Sequence, residues 1–326
     1  MLKTLQLSKL LLIIFQIFIL VACDSSDHIP TQQVDSQDRL TDSELFQFQQ
    51  RKLQVPKNNS YTFGFDLRAS PQEDAAQYLS FLRYLENATG YHFKLHFTAK
   101  NSSTVDELGD NKIQFAAMGS FGYLKAQSKY AVVMLARGLN QQNKAEYQSA
   151  FIVNPDSTIQ TLQDIKGKKM AFGSPDSTQG YLIPRITLME NGISLQDLQS
   201  FGFTGSHQRC AEAMVAGQYD VCGMQDTLAK ILAKQGIVRI IQFSAYYPSS
   251  GIVVNDSVPQ NVIQKVKQAL LDFDPEGKHR HYLYHWQRTE MPKGFTRSNE
   301  SDYTKLRQWV KQFGLFQGSQ IQGSYQ

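Results

Sequence analysis

The amino-acid sequence predicts an α/β protein of two lobes with a ligand cleft between them. Three observations lead there. Strand-like and helix-like segments alternate from Tyr61 onward, and such alternation implies parallel sheets with helices on both faces. The alternation falls into two series, with the chain crossing between them near 147–153 and again near 243–251. Finally, some 300 residues follow the first apolar segment, enough for two domains of ordinary size. A cleft between lobes is a usual place for a small ligand.

The N-terminus carries an address. Met1 to Lys9 has two lysines and no acid, and Leu10 to Val21 is apolar apart from Gln16. This is a secretory pattern, too short for a spanning helix, which needs roughly 20 apolar residues. Leu20-Val21-Ala22-Cys23 resembles the lipobox of bacterial lipoproteins. That resemblance implies that Cys23 is acylated and tethers the chain by lipid outside the cytoplasm; an ordinary secreted cysteine is the alternative. Asp24 after it points to retention at the inner membrane. Removing Lys3 and Lys9 leaves 31 basic against 29 acidic residues, a net charge of +2, which gives no reason to expect nucleic acid as a partner. The expected organisation is a signal peptide over 1–22, a flexible tether over 23–59, a first lobe from 60–148 plus 250–326, and a second over 149–249. The tether is polar and lacks an apolar period.

Folded sequence begins with a strand at Tyr61–Phe65. Ser70-Pro71-Gln72-Glu73 is a capping box with proline at the first helical position, and the helix it opens stops at Thr89-Gly90. Tyr91, Phe93, Leu95 and Phe97 alternate with polar residues as a half-wet strand. Further strands are expected at Ile113–Met118 and Ala131–Ala136. The second series reads as a strand at Ala150–Val153, a short helix at Ile159–Ile165, a strand at Lys169–Phe172 and a helix at Tyr181–Glu190. A strand near Phe201, a helix at Gln208–Ala216, a strand at Tyr219–Gly223 and a helix at Thr227–Gln235 follow. Val238–Phe243 and Gly251–Val254 are strands, and the tail from Val262 reads as mostly helical. Cys210 on a helix and Cys222 on the next strand are expected as two buried thiols, with a disulfide as the alternative.

The chemistry concentrates in two strand-to-helix turns. Gly173-Ser174-Pro175-Asp176-Ser177-Thr178-Gln179-Gly180 precedes a helix whose start Pro184 restricts, so free backbone N–H groups lie near Ser177–Tyr181. A helix start offers unpaired donors and partial positive charge, and neighbouring hydroxyls complete a cage for a tetrahedral anion; a plain N-cap at Ser177 or Thr178 is the bland alternative. Thr204-Gly205-Ser206-His207 makes a second such turn, adding an imidazole that can donate to an oxyanion in either charge state.

Several segments in order resemble the phosphate, phosphite and phosphonate substrate-binding proteins of ABC transporters, the PhnD-type group. They are Tyr147-Gln148-Ser149, Asp164-Ile165-Lys166-Gly167-Lys168, the Asp176–Gly180 turn with Pro184, Gly205-Ser206-His207, Gly217-Gln218-Tyr219-Asp220, Met291-Pro292-Lys293-Gly294-Phe295 and Asp302-Tyr303. The resemblance covers about Phe63 to Leu315. It implies a type II periplasmic binding fold, with a small oxyanion and a transporter permease as partners. By position, Ser177, Thr178 and Gln179 would hold the oxyanion, with Ser206 and His207 in the neighbouring turn and Tyr147 at the first crossover. Ser120 and Tyr123 would face the cleft from the first lobe. The pattern departs at Gln179, where a hydroxyl is usual. It departs again around Asn101 and Ser102, where an aromatic is lost, and at Ser249-Ser250, where aminophosphonate binders carry an acid. A plain oxyanion is therefore favoured, with Asp226 the nearest compensating acid and a helix cap its simpler role.

No Gly-x-Ser-x-Gly elbow or triad spacing argues for catalysis, so the chain is expected not to be an enzyme and to need no cofactor. His279, His281 and His285 cluster, the last two at helical spacing, but an Arg- and Lys-rich surface around Trp286 explains them better than a metal site. A binding protein of this fold can also report its ligand to a membrane sensor kinase instead of a permease.

Overall fold

The computed structural model describes residues 59–99 and 102–316 and the backbone of 324–325. The signal peptide, Cys23, the tether up to Asn58 and Asn101 lie outside the described residues.

The first sheet has the order β13-β4-β12-β3-β1-β2, from β1 (Ser60–Phe65), β2 (His92–Leu95), β3 (Phe115–Met118), β4 (Val132–Gly138), β12 (Gly251–Asn255) and β13 (Phe295–Thr296). Between these strands come α1 (Pro71–Thr89), α2 (Thr104–Gly109) and α3 (Ser120–Lys129), with α7 (Gln260–Leu271) after β12. The capping box expected at Ser70 is half formed: Ser70 accepts from the Glu73 N–H, and Gly90 closes α1 at φ 71°. Phe63, Phe81, Trp286 and Val266 belong to the core between this sheet and α1 and α7, where Phe81 and Trp286 stack with centroids 4.9 Å apart.

The second sheet has the order β10-β6-β9-β7-β8-β14. Its strands are β6 (Ser149–Val153), β7 (Lys169–Phe172), β8 (Ser200–Phe203), β9 (Val221–Gln225), β10 (Arg239–Phe243) and β14 (Ser324–Tyr325), and its helices are α4 (Ile183–Glu190), α5 (His207–Val215) and α6 (Asp226–Lys234). The last strand comes from the tail expected with the first lobe, yet it pairs in parallel with β8. The helix α8 (Thr304–Gln312) contributes Leu306 and Val310 to a core shared with Met118 of the first sheet and Ile186 of α4.

Three expectations need correction. Neither sheet is wholly parallel: β12 runs antiparallel to β3 and β4, and β6 antiparallel to β9 and β10. These reversed strands are the ones that follow the crossovers, where the chain enters a sheet without a helical return to set a parallel direction. The tail after α7 is not mostly helical. It passes through short 3-10 turns at Arg280–Tyr282, Trp286–Arg288 and Glu300–Tyr303 before α8, with His285 at φ 44°, so His281 and His285 share no helix face. Cys210 and Cys222 form a disulfide, their Cα atoms 5.8 Å apart.

The crossovers themselves pair. β5 (Glu146–Tyr147) and β11 (Tyr247–Pro248) form a two-stranded antiparallel ribbon that carries both passages of the chain between the sheets.

Candidate functional site

Three elements converge beside that ribbon. After β7 the chain turns through Ser174 to Ser177 and enters a π-helical turn, Thr178–Leu182, before α4. Pro184 accounts for the widened turn, because it has no N–H to give to an ordinary α-helical bond. Ser177 caps it by accepting from the Gly180 N–H at 2.8 Å, which leaves the Ser177 hydroxyl proton free to donate.

His207 begins α5, with Ser206 as N-cap accepting from Arg209 N–H at 3.2 Å. Its ring lies against the first turn: a Cβ on Gly180 would sit 2.8 Å from Ser177 Oγ and 3.1 Å from His207 Cε1. The imidazole Nδ1 accepts from the Gln225 N–H at 3.3 Å, so the ring proton belongs on Nε2. Burial pushes the His207 pKa down to about 4; Glu290 opposes this and Arg68 adds to it. Desolvation disfavours the charged form, so the ring is neutral at neutral pH and acts as a single donor.

The third element is the start of α3. Its N-cap, Gly119, makes no side-chain cap. The Phe121 N–H instead donates to Thr178 Oγ1 of the opposite lobe at 2.8 Å, and Gly119 N–H donates to Asp66 at 3.2 Å. Tyr147 stands at the ribbon, 4 % exposed. Its phenol is buried with no well-formed hydrogen bond, although the hydroxyls of Thr178 and Ser250 and the backbone N–H of Ser120 surround it. An unpaired buried hydroxyl is costly, and a phenol with a proton still to give is a donor that an anion site can use.

Two residues not singled out from sequence complete the wall. Arg68 Nε pairs with Glu290 at 3.0 Å, both nearly buried, and Arg68 also donates to the Tyr78 phenol at 2.6 Å. Burial works against the Arg68 charge, and Glu290 and its other neighbours overcome it, so the guanidinium stays protonated. The other Glu290 oxygen takes the Ser250 hydroxyl. The cleft therefore contains the acid that Ser249-Ser250 lacks, brought from a distant segment. The one sequence hint was its place just before Met291-Pro292-Lys293.

The remaining expected residues have other partners. Tyr123 is held away from this group by its hydroxyl, 2.5 Å from Glu300, and by packing on Tyr303. Ser120 spends its hydroxyl on the Pro248 and Ser249 carbonyls at 2.8 and 3.0 Å, so only its backbone faces Tyr147. Gln179 donates to the Gln148 carbonyl at 2.6 Å and to Asp226 at 3.2 Å. Asp226 also pairs with Lys230 at 2.5 Å, so it is occupied as a helix-start residue. Among the described residues no three His, Cys, Asp or Glu side chains are grouped to hold a metal.

Comparison with known proteins places this geometry in a family. The model for ABC transporter phosphonate periplasmic substrate-binding proteins matches residues 63–303. A phosphonates-binding periplasmic protein of Escherichia coli (strain K12) is 25 % identical over 234 residues, covering 68 % of this chain and 69 % of that one. The phosphate-import protein PhnD of Mycolicibacterium smegmatis is 27 % identical over 221 residues, 62 % and 69 % of the two chains. Among solved structures, PhnD1 of Prochlorococcus marinus in complex with methylphosphonate superposes with a TM-score of 0.70 at 16 % identity, covering 78 % of this chain and all but 2 % of the other, at 98 %. With two sheets, a double crossover and a donor-lined site beside it, the chain belongs to the family of periplasmic substrate-binding proteins of phosphonate ABC transporters.

Proposed function

We propose that this protein is a lipoprotein, anchored through Cys23 to the inner membrane, that captures phosphate, phosphite or a small phosphonate and delivers it to its permease. The oxyanion is held by the Ser177 and Thr178 hydroxyls, His207 Nε2–H and the Tyr147 phenol. The observation that carries this reading is the Tyr147 phenol, buried without a hydrogen bond among polar groups of both lobes. Relatives named for binding phosphonates and importing phosphate support the ligand class. Binding needs no nucleophile, and the family consists of substrate-binding proteins rather than enzymes.

The test is calorimetric titration of protein lacking residues 1–23, refolded to strip carried-over ligand, with phosphate, phosphite, methylphosphonate and 2-aminoethylphosphonate. One of them is expected to bind tightly. His207→Ala or Ser177→Ala is expected to weaken it about 10- to 150-fold, the loss of one charge-assisted hydrogen bond of roughly 1.5–3 kcal/mol. Absence of heat with all four, from folded protein, removes the oxyanion reading. Anchoring is checked separately by incorporation of labelled fatty acid, expected in the wild type and lost in Cys23→Ala.

A further inference from the structure

The walls of the cleft differ in hydrogen-bond polarity. On the second-lobe side, Ser177 Oγ already accepts from Gly180 N–H and His207 Nδ1 accepts from Gln225 N–H. Their remaining protons, on Ser177 Oγ and His207 Nε2, are donors for a ligand oxygen. On the first-lobe side the pattern reverses. A serine has one proton to give, and Ser250 gives it to Glu290. Ser120 likewise gives its proton to backbone carbonyls. The Ser250 oxygen, backed by a buried carboxylate, can only accept. An oxyanion with no proton would meet that acceptor lone pair against lone pair, among side chains that are buried.

We propose, resting on the oxyanion reading above, that the Glu290–Ser250 pair makes this site select oxyanions that carry a proton. Hydrogen phosphate and the hydrogen forms of phosphite and alkylphosphonates have a P–OH to donate to Ser250. Sulfate and alkylsulfonates have the same shape and are fully deprotonated at neutral pH, so only the Tyr147 phenol beside Ser250 is left to supply that acceptor with a proton, and its donation is then lost to the ligand. A site built to receive a ligand proton rejects the analogue lacking it far more strongly than shape alone allows.

The groups that face Glu290 permit a clean test. They are Arg68, Asp74, Tyr78, Tyr147 and His207. Arg68 stays protonated and burial pushes both phenols up. His207 has lost its proton well below neutrality. Burial raises Asp74, and the Arg68 and Ala69 N–H groups, from which its carboxylate accepts at 2.8 and 3.1 Å, oppose the rise. Near and above neutral pH the titrating partner is the ligand.

Calorimetry on the wild type at pH 7 would compare phosphate and methylphosphonate with sulfate and methanesulfonate. The phosphorus anion that binds best is expected to be favoured over its sulfur counterpart by about 100-fold. The methylphosphonate affinity is expected to fall by up to tenfold per pH unit above its second ionisation, whereas phosphate, which keeps a P–OH as hydrogen phosphate, is expected to show no such fall. In Glu290→Gln the amide can donate or accept, Ser250 regains a proton to give, and the phosphorus-to-sulfur ratio is expected to shrink to below about tenfold. The ratio is the readout because releasing Arg68 from its partner would raise affinity for every anion alike. Should Glu290→Gln fail to fold, the two wild-type measurements still decide. Equal binding of sulfur and phosphorus anions, or phosphonate affinity that is flat or rising with pH, overturns the inference while leaving the oxyanion site intact. Absence of binding by any phosphorus anion overturns both.

Discussion

His207 shows at residue scale how burial sets chemistry. With its pKa held near 4 against an unfolded value of about 6.5, the folded chain binds fewer protons than the unfolded one between those values. Stability must then rise with pH across that window, and the contribution is lost as pH falls from about 6.5 toward 4. The full effect is about 3 kcal/mol. His207→Gln is expected to be less stable at pH 7 but to show a shallower loss between pH 6.5 and 4, measured by urea denaturation at each pH. Parallel curves for the two proteins would mean that the imidazole is not the titrating group. The convergence of Ser177 and His207 was legible in sequence, because both sit where a strand gives way to a helix start. The roles of Arg68 and Glu290 were not: a guanidinium and a carboxylate separated by more than two-thirds of the chain are paired only by packing.

At the scale of elements, the disulfide joins the middle of α5 to β9. Cys210 lies one helical turn after His207, and Cys222 shortly precedes Gln225, whose N–H holds the imidazole. The bridge thus clamps the helix that presents the donor to the strand that orients it. It closes a loop with a sequence separation of 12, for which loop entropy corresponds to about 3 kcal/mol. Cys222→Ala is expected to lower the unfolding free energy by about 2–4 kcal/mol in non-reducing urea titrations. An unchanged midpoint in both oxidised and reduced protein would show that the bridge carries no stability. A helix cysteine and a strand cysteine are ambiguous on paper, since pairing depends on how the helix is rotated over the sheet. The helix α3 was also hidden in sequence. It starts on Gly119 without a polar cap, and a hydroxyl from the other lobe takes one of its free N–H groups.

For the whole molecule, the ribbon of β5 and β11 is where a hinge would act. The lobes meet through Thr178 on the Phe121 N–H, Lys125 with Asp176, and Gln208 N–H on the Arg68 carbonyl at 3.3 Å. Gly119 makes that approach possible. Its φ of −70° suits any residue, yet a Cβ there would overlap Thr178 Oγ1. Gly119→Ala is therefore expected to fold normally and to resist closure. Its radius of gyration by small-angle scattering should stay at the open value on adding ligand, with affinity reduced at least tenfold. Ligand-driven compaction equal to wild type would show that the lobes close without this contact.

The sequence by itself determined the local facts: alternating elements, the double crossover, hydroxyl-bearing helix starts and the order of motifs that marks the family. These are set by periodicity, turn chemistry and caps, which act over a few residues. The tertiary structure decided strand direction after each crossover, the pairing of the cysteines, the turning of Tyr123 into the core, and the arrival of Glu290 at Ser250. Each of these depends on which distant surfaces pack together and with what rotation. That information is spread over the whole core and is carried by no single segment.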